Sequence, residues 1–225
     1  MPDVDPHDGE AGAAIGVSRS ILPTASLADE RAGAAVTAPS DLDAALRALF
    51  RDIGEDPDRQ GLLGTPDRVR ATYTELTSGY HVDADALLNG AVFDVDYDEM
   101  VLVRDIEFHS LCEHHLLPFW GVAHVGYLPR ARVIGLSKIP RVVDLFARRL
   151  QLQERMTNQI AEFLMERLQP RGVGCVVEAA HMCTIMRGVR KEEARMVTSA
   201  MLGTFRRDLR TRTEFLNLLA RERPG

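Results

Sequence analysis

The chain has 225 residues, of which 45% are hydrophobic and 27% charged, a composition typical of globular proteins. Its net charge of −6 is uneven, because residues 1–40 hold six acidic and two basic residues, whereas the rest holds 27 acidic and 25 basic residues. This near-neutral body lacks the basic excess of nucleic-acid binding proteins, and no apolar run approaches the ~20 residues that span a bilayer. The acidic N-terminus has no signal-peptide pattern, so we expect a cytoplasmic protein.

The first 39 residues are predicted to form a disordered tail. They are rich in Ala, Gly, Asp and Ser and have few large apolar side chains. Folded structure is expected from about Ser40, because apolar residues then recur at helical spacing, at Leu42, Leu46, Leu49 and Ile53. Thr65-Pro66 predicts a second helix with threonine as its N-cap and proline at its first position. A single folded domain, residues 40–225, is therefore expected after the tail.

The middle of the chain changes from helical to strand periodicity. Alternation at Phe93, Val95 and Tyr97, and the segments MVLVRDIEF, GVAHVGYLP and RVIGL, predict strands of an antiparallel sheet. Helices are predicted at 139–150 and 152–168, the second with an apolar face that ends before Pro170. Further strands are predicted in VGCVVEAAHMC and MVTSAMLGTF, followed by a helix in TEFLNLLA. The predicted fold class is α+β.

The segment CEHH at 112–115 is the densest group of reactive side chains. Cys112 and His115 are three residues apart, so one tight turn can aim both at one point, and a thiolate with an imidazole suits zinc. On a strand, His181 and Cys183 would share a face because they are two residues apart. We therefore predict Zn²⁺ held by Cys112, His115 and Cys183, with the fourth position left for water.

The neighbouring histidines are candidates for proton transfer, because an imidazole titrates near neutral pH. They are His114 and His181. Spacing leaves an alternative open, in which His181 is a fourth ligand and the site is closed and structural. Glu113 is either a partner that orients a ligand or a solvated carboxylate, and Cys175 is predicted to be a buried thiol.

Three long segments resemble the signature segments of the GTP cyclohydrolase I family: CEHHLLPFWGVAHVGYLP, VIGLSKIPRVVDLFARRLQLQERMTNQIA and EAAHMCTIMRGVRK. TPDRVRATY, MVTSAMLGTFRRD and TRTEFL extend the resemblance over about residues 40–220. It implies a tunnelling fold (T-fold), with helices packed on one face of an antiparallel sheet and an N-terminal helical segment. It also implies a homodecamer with active sites at subunit interfaces.

The implied reaction is hydrolysis of GTP at guanine C8 with one Zn²⁺ per subunit. Formate is released, and rearrangement gives 7,8-dihydroneopterin triphosphate, the entry to folate and pterin synthesis. The resemblance carries the zinc ligands to Cys112, His115 and Cys183, and the catalytic histidines to His114 and His181. It carries the substrate contacts to Arg70, Ser137, Lys138, Arg141, Gln153, Glu154 and Arg187.

These substrate contacts have a chemical rationale. Arginine and lysine would bind the triphosphate, arginine by paired hydrogen bonds and lysine as a point charge. Glu154 would accept hydrogen bonds from guanine N1–H and the exocyclic amine, a donor pair that adenine lacks. The sequence does not assign each proton transfer to one of the two histidines.

Three rival functions are open at this stage. A zinc nucleobase deaminase would need the patterns H-x-E and P-C-x-x-C, and neither occurs in the chain. A related tunnelling-fold enzyme would act on a pterin or deazapurine by other chemistry, and a catalytically silent homologue would act as a binding or scaffold protein. The filled catalytic positions favour the cyclohydrolase over both.

Overall fold

The structure is a computed structural model that describes residues 39–88 and 90–220. The tail predicted for residues 1–39 lies outside the described residues, apart from its last position. The first predicted helix is confirmed as α1 (Pro39–Asp52). It is followed by α2 (Thr65–Leu76), a 3-10 turn (Ser78–Tyr80) and α3 (Ala84–Leu88).

The start of α2 differs from the prediction by one position. Gly64 is the N-cap and makes no side-chain capping hydrogen bond, so Thr65 is the first helical residue rather than the cap. Pro66 still lies in the first turn, where a backbone N–H has no helical acceptor and the proline ring therefore costs nothing.

Seven strands form two sheets within residues 39–88 and 90–220. In chain order they are β1 (Val92–Asp94), β2 (Val101–Cys112), β3 (Pro118–Leu128), β4 (Arg132–Ile134), β5 (Leu150–Gln151), β6 (Gly172–His181) and β7 (Met196–Gly203). The main sheet has the order β5-β2-β3-β6-β7, while β1 and β4 pair separately. The long strands are antiparallel, as predicted, whereas β5 runs parallel to the end of β2. This parallel pair places Gln151 opposite Cys112, so the helix that begins at Gln153 starts beside Cys112.

Two central helices pack on one face of the main sheet. They are α4 (Lys138–Ala147), which contacts β2, and α5 (Gln153–Leu168), which contacts β6 and β7. The predicted apolar face of α5 is confirmed, since Met156, Ile160 and Phe163 are at most 1% exposed. Burying such a side chain contributes about 1.5–3 kcal/mol, so this layer fixes α5 firmly against the sheet.

The C-terminal helices cover the other face at one end of the sheet. After α6 (Met182–Ile185), helices α7 (Thr204–Arg207) and α8 (Leu209–Ala220) pack their phenylalanines, Phe205 and Phe215, over the paired glycines Gly126 and Gly174. A Cβ on Gly174 would lie 2.7 Å from the Phe205 ring, so this packing requires glycine. The predicted α+β class is confirmed. In the described part of the chain, no helix is long and apolar enough to cross a membrane.

Candidate metal centre and active site

Three side chains converge at the end of β2 as the sequence predicts. The ligand atoms of Cys112, His115 and Cys183 all lie within 4.8 Å of one another, and Cys112 Sγ is 3.8 Å from His115 Nδ1. Cys112 is the last residue of β2, His115 lies in the turn that follows, and Cys183 lies in α6. Residues separated by about 70 positions thus meet at one point.

The turn at 112–115 aims its two ligands by backbone hydrogen bonds. The Cys112 carbonyl accepts from the N–H groups of His115 (3.3 Å) and Leu116 (2.8 Å). Leu116 has a φ of +55°, and this left-handed conformation reverses the chain into β3. The prediction that one tight turn aims Cys112 and His115 together is confirmed.

The position of Cys183 agrees with the prediction, but the reason given for it is wrong. The strand β6 ends at His181, and Cys183 lies in the helix α6, so strand alternation does not relate the two residues. His181 is absent from the cluster of possible metal ligands among the described residues. This arrangement speaks against the closed site with His181 as fourth ligand.

The donor set fits zinc. Tetrahedral zinc with ordinary bond lengths places sulfur and nitrogen ligands roughly 3.6 Å apart, close to the Cys112–His115 spacing. Burial and the neighbouring Cys112 thiol raise the pKa of Cys183. A raised pKa opposes formation of the thiolate that binds metal. A bound divalent cation would overcome this effect, because it deprotonates a coordinating thiol outright. Three protein donors also leave one tetrahedral position for a water molecule.

His181 is held by two contacts beside this cluster. Its ring stacks on Phe119, with centroids 4.5 Å apart and planes inclined by 2°. Its Nε2 lies 2.8 Å from Gln153 Oε1. The Gln153 amide nitrogen donates to the carbonyls of Val177 and Met196 and faces the Thr198 hydroxyl, so Gln153 Oε1 must be an acceptor.

This arrangement fixes the tautomer of the neutral His181 ring. Nε2 must carry the proton that it donates to Gln153, which leaves Nδ1 as the acceptor of the neutral ring. Burial lowers the pKa of His181, and the charge of Glu154 opposes that effect. The ring is therefore neutral at neutral pH, and the folded state loses stability as the pH falls through the ordinary histidine pKa toward the lowered one, because the unfolded state takes up the proton first.

Comparisons with known proteins agree with the geometry. A family model described as GTP cyclohydrolase I matches residues 42–220. The chain belongs to the GTP cyclohydrolase I family. The predicted enzyme class is thereby confirmed, and curated relatives named GTP cyclohydrolase 1 match along most of the chain.

The relatives within the GTP cyclohydrolase I family come from distant organisms. One from Synechococcus sp. (strain JA-2-3B'a(2-13)) is 55% identical over 90% of this chain and 88% of its own length. One from Leptospira biflexa is 56% identical over 77% and 95%, and one from Rattus norvegicus is 54% identical over 80% and 74%. A solved archaeosine synthase QueF-Like in the apo form is 18% identical over 46% of this chain and 93% of its own, with a TM-score of 0.39, too low to carry an argument.

Some of the substrate contacts expected for the GTP cyclohydrolase I family lie beside the metal cluster. Arg187 follows α6 and acts electrostatically on Cys183, while the exposed Glu154 acts on His181. Gln153 is also near, but its side chain is 1% exposed and both ends of its amide are occupied. A direct contact between Gln153 and substrate stays a prediction, and in the structure the amide oxygen of Gln153 faces His181.

Three of the other expected contacts, Ser137, Lys138 and Arg141, contact other parts of the chain, whereas Arg70 lies on α2 three residues before Tyr73, whose hydroxyl donates to the Leu116 carbonyl. Ser137 lines a hollow with Val103–Glu107 of β2, five to nine residues before Cys112, which is roughly 16–30 Å along a strand. Lys138 Nζ donates to the Leu87 carbonyl at 2.6 Å. Arg141 lines a hollow beside α3, and Arg70 on α2 pairs with Asp67 at 2.6 Å.

Two residues of this centre were not anticipated from the sequence. Phe119 fixes the ring plane of His181, and Tyr73 on α2 donates a hydrogen bond to the Leu116 carbonyl at 3.3 Å. The register of β3 and β6 pairs Phe119 with His181 directly. Knowledge of this register would have predicted the stacking of Phe119 on His181, but a sequence alone does not specify strand register.

Proposed function

We propose that this chain is a zinc-dependent enzyme that hydrolyses GTP at guanine C8, releases formate and forms 7,8-dihydroneopterin triphosphate. The observation that carries the proposal is the cluster of Cys112, His115 and Cys183, whose ligand atoms lie within 4.8 Å of one another in a chain of this family. One Zn²⁺ per subunit would be held there. The chemistry that a bound Zn²⁺ supplies is water activation, because coordination lowers the pKa of water to about 7.

Each histidine has a proton-transfer role that follows from its environment. His181 is neutral and its Nε2–H is engaged by Gln153, so it accepts a proton at Nδ1 as a general base. His114 is exposed and is the neighbour of a zinc ligand, so it can meet the purine and protonate N7 as the imidazole ring of guanine opens.

Glu154 supplies the base specificity. It lies one residue after Gln153 at the start of α5 and close enough to His181 to affect its pKa. Its carboxylate accepts hydrogen bonds from guanine N1–H and the exocyclic amine, and adenine cannot provide that donor pair. Discrimination against ATP follows, because a site built for these hydrogen bonds is left unpaired by the wrong base.

The triphosphate site requires a second copy of the chain. Ser137 lines a hollow with Val103–Glu107, which lie roughly 16–30 Å along β2 from Cys112, and this separation favours a site that residues of another copy complete. Among the described residues, β5 pairs only with Leu111 and Cys112 along the edge of β2 that faces away from β3, and no strand pairs with the outer side of β7. Such edges favour pairing between copies. We therefore propose a homo-oligomer, the decamer that the family resemblance implies, with active sites at subunit interfaces.

The activity is tested by incubating the purified chain with GTP and measuring formate and pterin together. Equal amounts of both are expected, and prior removal of metal with a chelator should reduce turnover by roughly 100-fold or more, with recovery on adding Zn²⁺. ATP serves as the control substrate. A zinc-loaded chain that releases no formate from GTP would support the silent binding homologue instead.

Gln153 and Phe119 hold the His181 ring, and we call these two contacts the His181 clamp. The hydrogen bond of this clamp gives a second prediction. Replacing Gln153 with methionine removes the acceptor of the His181 Nε2–H. Loss of a buried hydrogen bond costs about 1–3 kcal/mol, so kcat for GTP is expected to fall about 10–100-fold. KM should change much less, because ring orientation matters at the reacting atoms.

A matched control for this variant is Thr157→Val. Thr157 is 1% exposed and faces the same Thr198 hydroxyl at 2.7 Å, but it does not contact His181. It should keep kcat while sharing any loss of stability, which urea denaturation would measure. Equal kcat values in Gln153→Met and Thr157→Val would contradict the role given to Gln153.

A further inference from the structure

A buried polar network lies beneath the turn that carries Cys112 and His115. Its centre is Gln151 on β5, which is 2% exposed. The Gln151 amide nitrogen donates to the Phe146 carbonyl and to Gln159 Oε1, each at 2.8 Å. Its Oε1 is therefore the acceptor for Arg155 Nε at 3.1 Å. One glutamine thus joins the end of α4, the strand β5 and the helix α5.

Arg155 extends this network to the metal turn. Its Nη2 donates to the Leu150 carbonyl at 3.1 Å and forms a short ion pair with Glu113 Oε2. The backbone N–H of Glu113 also donates to the Gln151 carbonyl, at 3.1 Å. Both the side chain and the backbone of Glu113 are thereby tied to the β5–α5 junction. Of the two roles predicted for Glu113, these contacts favour a partner that orients a ligand over a solvated carboxylate.

The ion pair between Arg155 and Glu113 contributes more to the geometry of the turn than to stability. The Arg155 and Glu113 side chains are 36% and 30% exposed, and ion pairs at such exposure contribute little to stability, about 0–1 kcal/mol. Geometry is the larger effect, because two nitrogens of Arg155, Nε and Nη2, reach three different acceptors. Such a fork fixes direction as well as distance.

We infer that Arg155 is a positioning residue for the metal centre, acting through Glu113 to hold the turn at 112–115 against the first turn of α5. That first turn also carries Gln153 and Glu154, so one contact sets the spacing between the metal ligands and the His181 clamp. The inference rests on the proposed zinc site. Groups that orient metal ligands typically change metal affinity by 10–100-fold when they are lost.

The test measures Zn²⁺ affinity by competition with a chromophoric chelator, using the full chain. Arg155→Met is expected to weaken Zn²⁺ binding about 10-fold or more, and Glu113→Gln by a similar factor. The double variant should be little worse than either single variant, because both remove the same contact. Arg155→Lys should fall between Arg155→Met and the unaltered chain, since lysine provides a point charge without the fork.

The matched control is Arg167→Met on the same helix. Arg167 is 33% exposed and pairs with Asp85 at 2.7 Å, so it resembles Arg155 in exposure and pairing but lies at the other end of α5. Its replacement should leave Zn²⁺ affinity unchanged. The visible spectrum of the Co²⁺-substituted chain gives a second readout, and its bands should shift in Arg155→Met but not in Arg167→Met.

The outcomes separate this inference from the proposed function. If the unaltered chain binds no Zn²⁺, the proposed function fails and the inference fails with it. If it binds Zn²⁺ and Arg155→Met and Glu113→Gln bind equally tightly, the inference is overturned while the proposed function stands. If Arg155→Met does not fold, as judged by circular dichroism, Glu113→Gln decides the question.

Discussion

Replacing Cys183 with serine is expected to abolish zinc binding and reduce formate release from GTP on the order of 1,000-fold. The hydroxyl is a poor substitute for a thiolate ligand, and two donors remain at the site, Cys112 and His115. A metal that activates water stabilises the transition state by several kcal/mol. Losing that stabilisation corresponds to the stated factor, at about 1.4 kcal/mol for each tenfold change in rate. Metal content by mass spectrometry and the formate assay measure the two effects separately.

Cys175 provides the matched control for Cys183. It lies on the neighbouring strand β6, is fully buried, and burial raises the pKa of its thiol to about 12. Cys175→Ala should keep zinc and turnover but lower the free energy of unfolding by about 1 kcal/mol, because it leaves a small cavity. Full zinc content in Cys183→Ser, or loss of zinc in Cys175→Ala, would mean that the ligands are assigned wrongly.

The long elements of the fold could be predicted because their sequences are periodic over many residues. The apolar face of α5 was found from Met156, Ile160 and Phe163, all of them buried. The short strands β1, β4 and β5 have two or three residues each, too few for any period to be visible. Residues 93–97 alternate in sequence, but the strand ends at Asp94, because its pairing with β4 ends there.

The convergence of Cys112, His115 and Cys183 could be predicted, but the environment of His181 could not. The spacing of Cys112 and His115 is a local feature, and a turn is enough to bring them together. Gln153 instead takes its partners from Val177, Thr198 and His181, which are 24–45 residues away. Such contacts depend on strand register, which the periodicity of a sequence does not specify. Periodicity therefore predicts only that Gln153 lies at the start of a helix.

The two adjacent histidines of the metal turn offer the sharpest test of the proposed chemistry. His114 and His115 are both exposed, and their rings are 6.2 Å apart and nearly perpendicular, inclined by 88°. Only His115 belongs to the cluster of possible metal ligands in the described part of the chain. The same substitution at each position should therefore have different consequences.

His114→Asn is expected to keep zinc and lower kcat for GTP by roughly 10²–10⁴-fold, the usual contribution of a general acid or base. His115→Asn is expected to lose zinc and turnover together. Zinc content and single-turnover formate release, measured on both variants, distinguish the roles. Zinc loss in His114→Asn would make His114 a ligand, and full turnover in that variant would remove it from proton transfer. Either result would leave His181, held by Gln153 and Phe119, as the remaining proton-transfer group of the site.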